Sequence, residues 1–559
     1  MSAAATAEPQ TSGASMRTIV AASAAGTAFE WYDFFIFGTL AAVISANFFA
    51  GVNETAGFIF ALGAFAVGFF MRPFGALVFG RIGDRLGRKG AFLITITLMG
   101  AATFAVGLLP TYASIGIAAP VILIGLRMIQ GFALGGEYGG AAIYVAEHAP
   151  TERRGALTGW IQTSAALGLV GALTVILATR SMMSEAAFNA WGWRIPFLVS
   201  VGLLAVSLWI RLQLEESPAF RKIKAEKGLS DKPYVESFLV WKNLKIVLIA
   251  LFAIMIAQGA VWYAGYFYIQ FFLERVLKVE ASTVNWLLIV AVLVSAPLYV
   301  FFGWLSDRIG RKPVMLFGMI LATIAFFPAF RYMTQAANPA LSEAARTAPV
   351  TVFADPADCS LQFDPVGKAK FTSSCDVAKG VLATAGVPYR NAAAPAGAAA
   401  QVRVGAAAVP SRSLAGLPAG QIKAGRAEVE GRIKAALTAA GYPAKADPAR
   451  INYPGVIAVL LIFVVASTAL YGPQAAALVE LFPTRIRYTA LSLPYHIGTG
   501  WVGGFLPFTA FAMVAASGDI FFGLWYPVVF TAIAILVTFF FLPETRGRDL
   551  DLEHAAKPA

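Results

Sequence analysis

Glu30 and Asp33 are the first residues in the chain that could do chemistry: two carboxylates three positions apart inside an apolar run. On a helix that spacing places both on one face. Ionisable groups in hydrocarbon are costly unless they are paired or hydrated, so each is a functional candidate. Two such carboxylates repel when both are charged, which favours a proton on one of them near neutral pH. Proton coupling is one reading of the pair, and pairing with bases such as Arg17 near an interface is the other. Tyr32, between them, is taken as a substrate contact. A second group reads Arg127-x-x-Gln130-Gly131 and then Glu137-Tyr138. At about 100° per residue these four polar side chains fall within an arc of about 100°, a polar stripe that would face a cavity. The alternative is an Arg127 locked to a carboxylate to stabilise a helix bundle. Arg72 would either gather a carboxylate or snorkel to an interface. Gln162, Gln258, Tyr263 and Gln474, with Tyr266, Gln270 and Tyr495, are further candidate lining residues, although polar side chains also join helix to helix. His496 stands alone and reads more readily as a packing residue than as a proton relay.

A third group is duplicated. Phe79-Gly-Arg-Ile-Gly-Asp-Arg-Leu-Gly-Arg-Lys89 recurs as Phe302-Gly-Trp-Leu-Ser-Asp-Arg-Ile-Gly-Arg-Lys312, identical at seven of eleven positions. Glycine at positions 80 and 87 allows a tight turn and close helix approach. Asp84 and Asp307 end an apolar run, where Arg85, Arg88, Arg308 and Arg311 can pair with them. Gly80, Asp84, Arg85, Gly87, Arg88, Asp307, Arg308 and Arg311 are therefore expected to form a charge latch that holds one conformation closed. A basic loop that only sets topology is the alternative. A weaker repeat pairs Glu147-x-x-Pro150-Thr151 with Glu480-x-x-Pro483-Thr484, and its two copies stand further apart in the chain than the two loops do.

The elements that must position these groups are membrane helices. The chain has 58% hydrophobic and 13% charged residues and a mean hydropathy of +0.70, too apolar for a soluble protein of 559 residues. Spans long enough to cross the bilayer are expected around 18–45, 56–79, 91–110, 115–145, 156–179 and 194–213. Six more follow around 244–272, 284–304, 314–332, 454–479, 486–515 and 521–542. The wider spacing of the weaker repeat means that a segment is inserted in the second half, between Lys312 and Glu480. The Ala-, Pro- and Gly-rich stretch 334–452 has the length to account for it. It reads as a small α+β domain with strand-like runs over 350–377 and a helix over 419–440.

The fold expected is an all-α membrane protein of about twelve helices in two six-helix bundles, 17–213 and 244–333 with 453–543. A linker covers 214–243, and tails cover 1–16 and 544–559. Lys and Arg concentrate in the short loops of one side, which makes that side and both termini cytoplasmic. The insertion, between the ninth and tenth helices, is then periplasmic. It looks like an appended module whose removal should spare transport. Cys359 and Cys375 both lie in it, and an oxidising compartment favours pairing them, with two free thiols as the alternative. The stretch before Arg17 lacks the order of a cleaved signal peptide.

The duplicated loop resembles the signature of the major facilitator superfamily. Gly26-Thr-Ala-Phe-Glu-Trp-Tyr-Asp-Phe34, Gly135-Gly-Glu-Tyr-Gly-Gly140, Trp191-Gly-Trp-Arg-Ile-Pro-Phe197, Glu216-Ser-Pro-Ala-Phe220, Glu480-Leu-Phe-Pro-Thr-Arg-Ile-Arg-Tyr488 and Leu542-Pro-Glu-Thr-Arg-Gly547 look like the metabolite:proton symporter family. That family includes permeases for α-ketoglutarate, citrate, shikimate and proline or betaine. The resemblance implies proton symport, and it links an R-x-x-Q-G element to proton transfer and substrate binding; spacing alone shows neither.

Together these readings make the chain a proton-coupled symporter of the inner membrane that imports a small polar metabolite, an organic acid or a zwitterion, by alternating access. Glu30, Asp33, Arg127 and Glu137 would couple the proton. Tyr32, Arg72, Arg127, Gln130, Tyr138, Gln162, Gln258, Tyr263 and Gln474 would contact substrate. An uncoupled facilitator, or a nutrient receptor using the insertion, are the rivals. The net charge of +12 lies between apolar spans rather than on a soluble face, which argues against nucleic acid. Two cysteines rule out a cysteine metal cluster, and no nucleotide or hydrolase motif points to an enzyme. The expected partners are substrate, protons and lipid, with no cofactor, metal or obligate protein partner.

Overall fold

The computed structural model describes residues 16–49, 54–213, 215–226, 228–360, 371–548 and 550. Most of both terminal tails, residues 1–15 and 551–559, lies outside the described residues. Long apolar runs can satisfy their backbone in lipid only as helices, and the described residues accordingly hold twelve long helical spans. The first half holds α1 (Met16–Thr39, followed by Ala41–Phe48), α2 (Glu54–Arg85), α3 (Arg88–Leu108), α4 (Ala118–His148), α5 (Thr151–Ser181) and α6 (Arg194–Leu212). The second holds α7 (Trp241–Val276), α8 (Ala281–Ile309), α9 (Arg311–Ala337), α10 (Tyr453–Leu481), α11 (Arg487–Ser517) and α12 (Phe522–Phe541).

Within the first half α2 packs on α4 and α1 on α5; within the second α9 packs on α10 and α7 on α11 and α12. The halves meet along α2 with α11 and along α5 with α8. The same two helix positions of each repeat thus build both seams. The duplicated loop turns α2 into α3 and α8 into α9 at Gly87 (φ 119°) and Gly310 (φ 108°), a backbone region closed to side chains with a β-carbon.

Between α9 and α10 the described residues fold into a small α+β segment, which departs from the expectation in two ways. Helix α9 continues to Ala337, and of the strand-like stretch only β1 (Val350–Ala354) is a strand among the described residues; Ser374–Ala385 is a helix started by the Ser373 side chain, which accepts from Asp376 N. β1 lies parallel to β2 (Tyr389–Ala393) and antiparallel to β3 (Gln401–Val404), which pairs with β4 (Ala407–Pro410), in the order β2-β1-β3-β4. The helices Ser374–Ala385 and Ala419–Ala439 pack on each other and on the sheet, over the buried Val350, Val352 and Ala354. A disulfide joins Cys359 to Cys375. The ends of the insertion touch: Asn452 N donates to Ala336 O at 2.8 Å.

Candidate functional site

A cavity of about 40 Å³ lies between the bundles. The first bundle contributes Thr27, Glu30, Trp31 and Phe34 from α1, Arg72 from α2, and Leu134 and Tyr138 from α4. The second contributes Gln258, Trp262 and Tyr263 from α7, Tyr471 from α10, and Tyr495, His496 and Thr499 from α11. This volume suits a few waters, because aromatic side chains close the cavity from both ends. On one side the bundles meet through Trp31 and Trp262 (centroids 5.2 Å apart), Phe34 and Phe267 (5.5 Å), and Phe69 and Tyr263 (5.8 Å). On the other, Tyr138 stacks on Tyr495, whose hydroxyl is 2.8 Å from that of Tyr471. Behind Tyr138, Gln162 and Gln474 donate to its hydroxyl at 2.8 and 3.4 Å, so these glutamines orient a lining residue and do not line the cavity.

Glu30 is 7% exposed, and its Oε1 has no hydrogen-bond partner among the described residues. Arg72 rests its guanidinium 4.4 Å over Phe69, with Nε unpartnered among the described residues. A buried carboxylate and a half-buried guanidinium thus face one cavity.

Asp33 parts from Glu30 and turns into the first bundle. It accepts from Thr103 Oγ1 of α3 at 2.8 Å and from Gln130 Nε2 at 3.0 Å, and lies 3.6 Å from Arg127. Arg127 donates to Gln130 Oε1 at 2.8 Å and sits 4.0 Å over Phe37. The expectation that Arg127 and Gln130 line the cavity is therefore corrected: the helical period placed the stripe, but its polar face looks onto α1 and α3 inside the bundle. Tyr32 is corrected likewise, since its hydroxyl donates to Pro196 O of α6 at 2.7 Å. Glu137 also lies outside the cavity lining. It pairs with Arg211 of α6 and accepts from Thr95 Oγ1 of α3 at 2.6 Å. Arg211 lies 3.5 Å over Phe92. Sequence reasoning missed Thr95, Thr103 and Arg211, because polar residues spaced singly along apolar helices leave no pattern.

The duplicated loops close the side of the protein opposite the insertion. Asp84, at the end of α2, accepts from the N–H groups of Tyr488 (3.1 Å) and Thr489 (2.8 Å) at the start of α11. Asp307, at the end of α8, accepts from Gly155 and Ala156 N–H, both 2.8 Å, at the start of α5. Each carboxylate complements the positive end of a helix from the other bundle. Arg88 bonds Asp84 at 3.0 Å and crosses to Thr484 O at 2.7 Å. Arg311 bonds Asp307 at 2.6 Å and Glu480 at 3.1 Å. Two further buried pairs cross the seam, Arg154 to Glu480 at 3.0 Å and Arg487 to Glu147 at 2.7 Å. Gly80 belongs to this side, because a β-carbon there would meet Thr489 Cα at 2.8 Å. Arg85 and Arg308 are exposed and take no part, which corrects their assignment: one residue past the carboxylate, they point off the seam. Glu147, Arg154, Glu480 and Arg487 take their place, and the repeated Glu-x-x-Pro-Thr element with bases after each copy was the available signal.

A model of the sugar (and other) transporter family matches residues 18–234 and 434–556, and a model of MFS/sugar transport proteins matches 141–354. The chain belongs to this family of the major facilitator superfamily. It is 36% identical over 323 residues to the proline/betaine transporter of Escherichia coli (strain K12), covering 56% of this chain and 64% of that one. The shikimate transporter of the same organism is 36% identical over 313 residues, covering 55% and 70%. The glycine betaine/proline/ectoine/pipecolic acid transporter OusA of Dickeya dadantii is 35% identical over 329 residues, covering 56% and 64%. The chain thus spans less than two thirds of the length of the proline/betaine transporter and of OusA. In fold it is similar to the proton:xylose symporter XylE bound to 6-bromo-6-deoxy-D-glucose, with a TM-score of 0.63 at 15% identity, covering 96% of this chain and 98% of that one. The chain thus has the family and the fold of multi-pass membrane transporters.

Proposed function

We propose that this transporter is a proton-coupled symporter that imports a small organic acid or zwitterion across the inner membrane. The observation that carries this reading is the division of the two carboxylates on α1: Glu30 faces the cavity beside Arg72, and Asp33 is held in the first bundle by Arg127, Gln130 and Thr103. Arg72 is the group for a substrate carboxylate. Glu30 stands ready for a proton or for the cationic end of a zwitterion, since a buried charge needs a partner. Protonation of Asp33 would release Arg127 and loosen α1 from α4. Glu137 with Arg211 is a second candidate proton site nearer the latch. The basic side, with both termini, is cytoplasmic on this reading and the insertion is periplasmic. Alternating access then breaks the Asp84 and Asp307 contacts as one bundle rocks on the other.

Uptake into vesicles tests the proposal. Accumulation of L-proline, glycine betaine or shikimate should require an inward proton gradient and collapse with a protonophore. Uptake indifferent to the gradient would make the protein a facilitator, and binding without flux a receptor.

A further inference from the structure

Among the described residues, the hydrogen bonds that tie the body of the insertion to the bundles run to the second bundle, and they gather on two turns. At the α7–α8 turn, Lys278 Nζ donates to Thr384 O at 2.6 Å, Lys278 O accepts from Ala446 N at 3.0 Å, and Leu277 O accepts from Asn338 Nδ2 at 2.9 Å. Lys278 is also the one non-glycine residue at positive φ among the described residues, at 57°. That strained conformation persists only where neighbours hold it, and both of these contacts of Lys278 come from the insertion. Burial, with Arg275 and Lys434 nearby, pushes its ammonium below the usual lysine range. At the α11–α12 turn, Tyr389 N donates to Gly518 O at 2.9 Å, Tyr389 Oη to Ala515 O at 2.5 Å, and Asn391 Nδ2 to Ser517 O at 2.6 Å. Glycine permits both approaches: a β-carbon on Gly386 would meet Val276 O, and one on Gly518 would meet Tyr389 O, each at 2.4 Å.

The two tethered helices are among those that line the cavity. Helix α7 carries Trp262, Tyr263 and Phe267 against the first bundle. It has two π-helical turns in this outer part, Ala264–Tyr268, which holds Phe267, and Phe272–Val276 next to the tethered end. Such turns loosen the regular ladder and let a helix bend.

We propose that the insertion is a brace for the gate on its own side of the membrane, with Lys278 and Tyr389 as positioning residues that hold the outer half of α7 over the cavity. The brace joins the ends of α7 and α11, so the gate opens by movement of the whole second bundle and not by bending of α7 alone. This rests on the transporter reading above, and it replaces the view of the insertion as a dispensable module.

Hydrogen exchange and maleimide labelling on the full-length protein test it without requiring flux, so failure of proton-coupled uptake would leave the outcome separate. In Tyr389→Ala and Lys278→Asn, amides of 264–278 should exchange at least tenfold faster, while those of α1–α6 are unchanged. With a single cysteine placed by Phe267→Cys in a chain carrying Cys359→Ser and Cys375→Ser, labelling from the insertion side should rise several-fold on adding Tyr389→Ala. A third variant joins Ala336 to Asn452, which are already hydrogen-bonded, and should label at least as fast. Unchanged exchange and labelling at α7 in these variants would overturn the brace. So would an insertion that itself unfolds, with fast exchange over 374–385, while 264–278 stays protected.

Discussion

Tyr138 of α4 and Tyr495 of α11 lie face to face across the seam between the bundles, ring centroids 3.8 Å apart and planes 9° from parallel. Both line the cavity, and on the proposed mechanism they separate when the Asp84 and Asp307 side opens. An aromatic pair contributes about 1 kcal/mol beyond its buried area. Tyr495→Ala should therefore shift the closed-to-open ratio towards latch-side opening by about fivefold. Cysteine accessibility below the pair reads this. Tyr138→Phe keeps the stack and should behave much closer to the parent.

Asp33→Asn should abolish proton-driven accumulation yet leave solute exchange across the vesicle membrane, because it removes a titrating group that does not line the cavity. Glu30→Gln should instead raise KM, since Glu30 lines the cavity. Uptake and counterflow assays on both variants separate the two roles; identical defects would return the carboxylates to a single function.

Asp84→Asn removes a charge from the start of α11 and from Arg88, a contact worth up to about 2 kcal/mol at a helix terminus. Latch-side labelling should rise, and Asp307→Asn should act in the same direction because it caps α5 in the same way. Arg85→Ala, exposed and off the seam, should leave labelling unchanged.

Arg211→Met leaves Glu137 buried without its cation and should cost about 3–5 kcal/mol. Thermal unfolding in detergent should show a large fall in Tm. Adding Glu137→Gln should recover most of it, because the uncompensated charge is gone. A double variant as unstable as the single one would mean that Arg211 acts through packing on Phe92 alone.

Cys359→Ser should lower the stability of the insertion by about 3 kcal/mol, the expected contribution of a crosslink closing a loop of this size. Faster hydrogen exchange across Ser374–Ala385 is the readout. Helices α1–α6 should not respond.

Helix number, the two halves and the site of the insertion follow from the sequence because a bilayer imposes a minimum apolar length and the duplicated loop marks equivalent positions. That Asp84 and Asp307 occupy matching places at the ends of α2 and α8 was legible for the same reason: two copies of one motif at one spacing. Which arginines pair with them was not, because Arg85 ends α2 and Arg88 begins α3, and the backbone at Gly87 between them sets the direction that Arg88 takes. On α1 the three-residue spacing of Glu30 and Asp33 showed a shared face. It could not show that this face straddles a boundary, with the cavity on one side and Arg127 on the other. Tyr138 and Tyr495, in opposite halves of the chain, meet only because α4 and α11 cross at the seam, and no local pattern records a contact between two bundles. The grip of the insertion on Lys278 and Gly518 is likewise a product of tertiary packing. Its residues are neither periodic nor repeated, and only the folded domain brings them to the ends of α7 and α11.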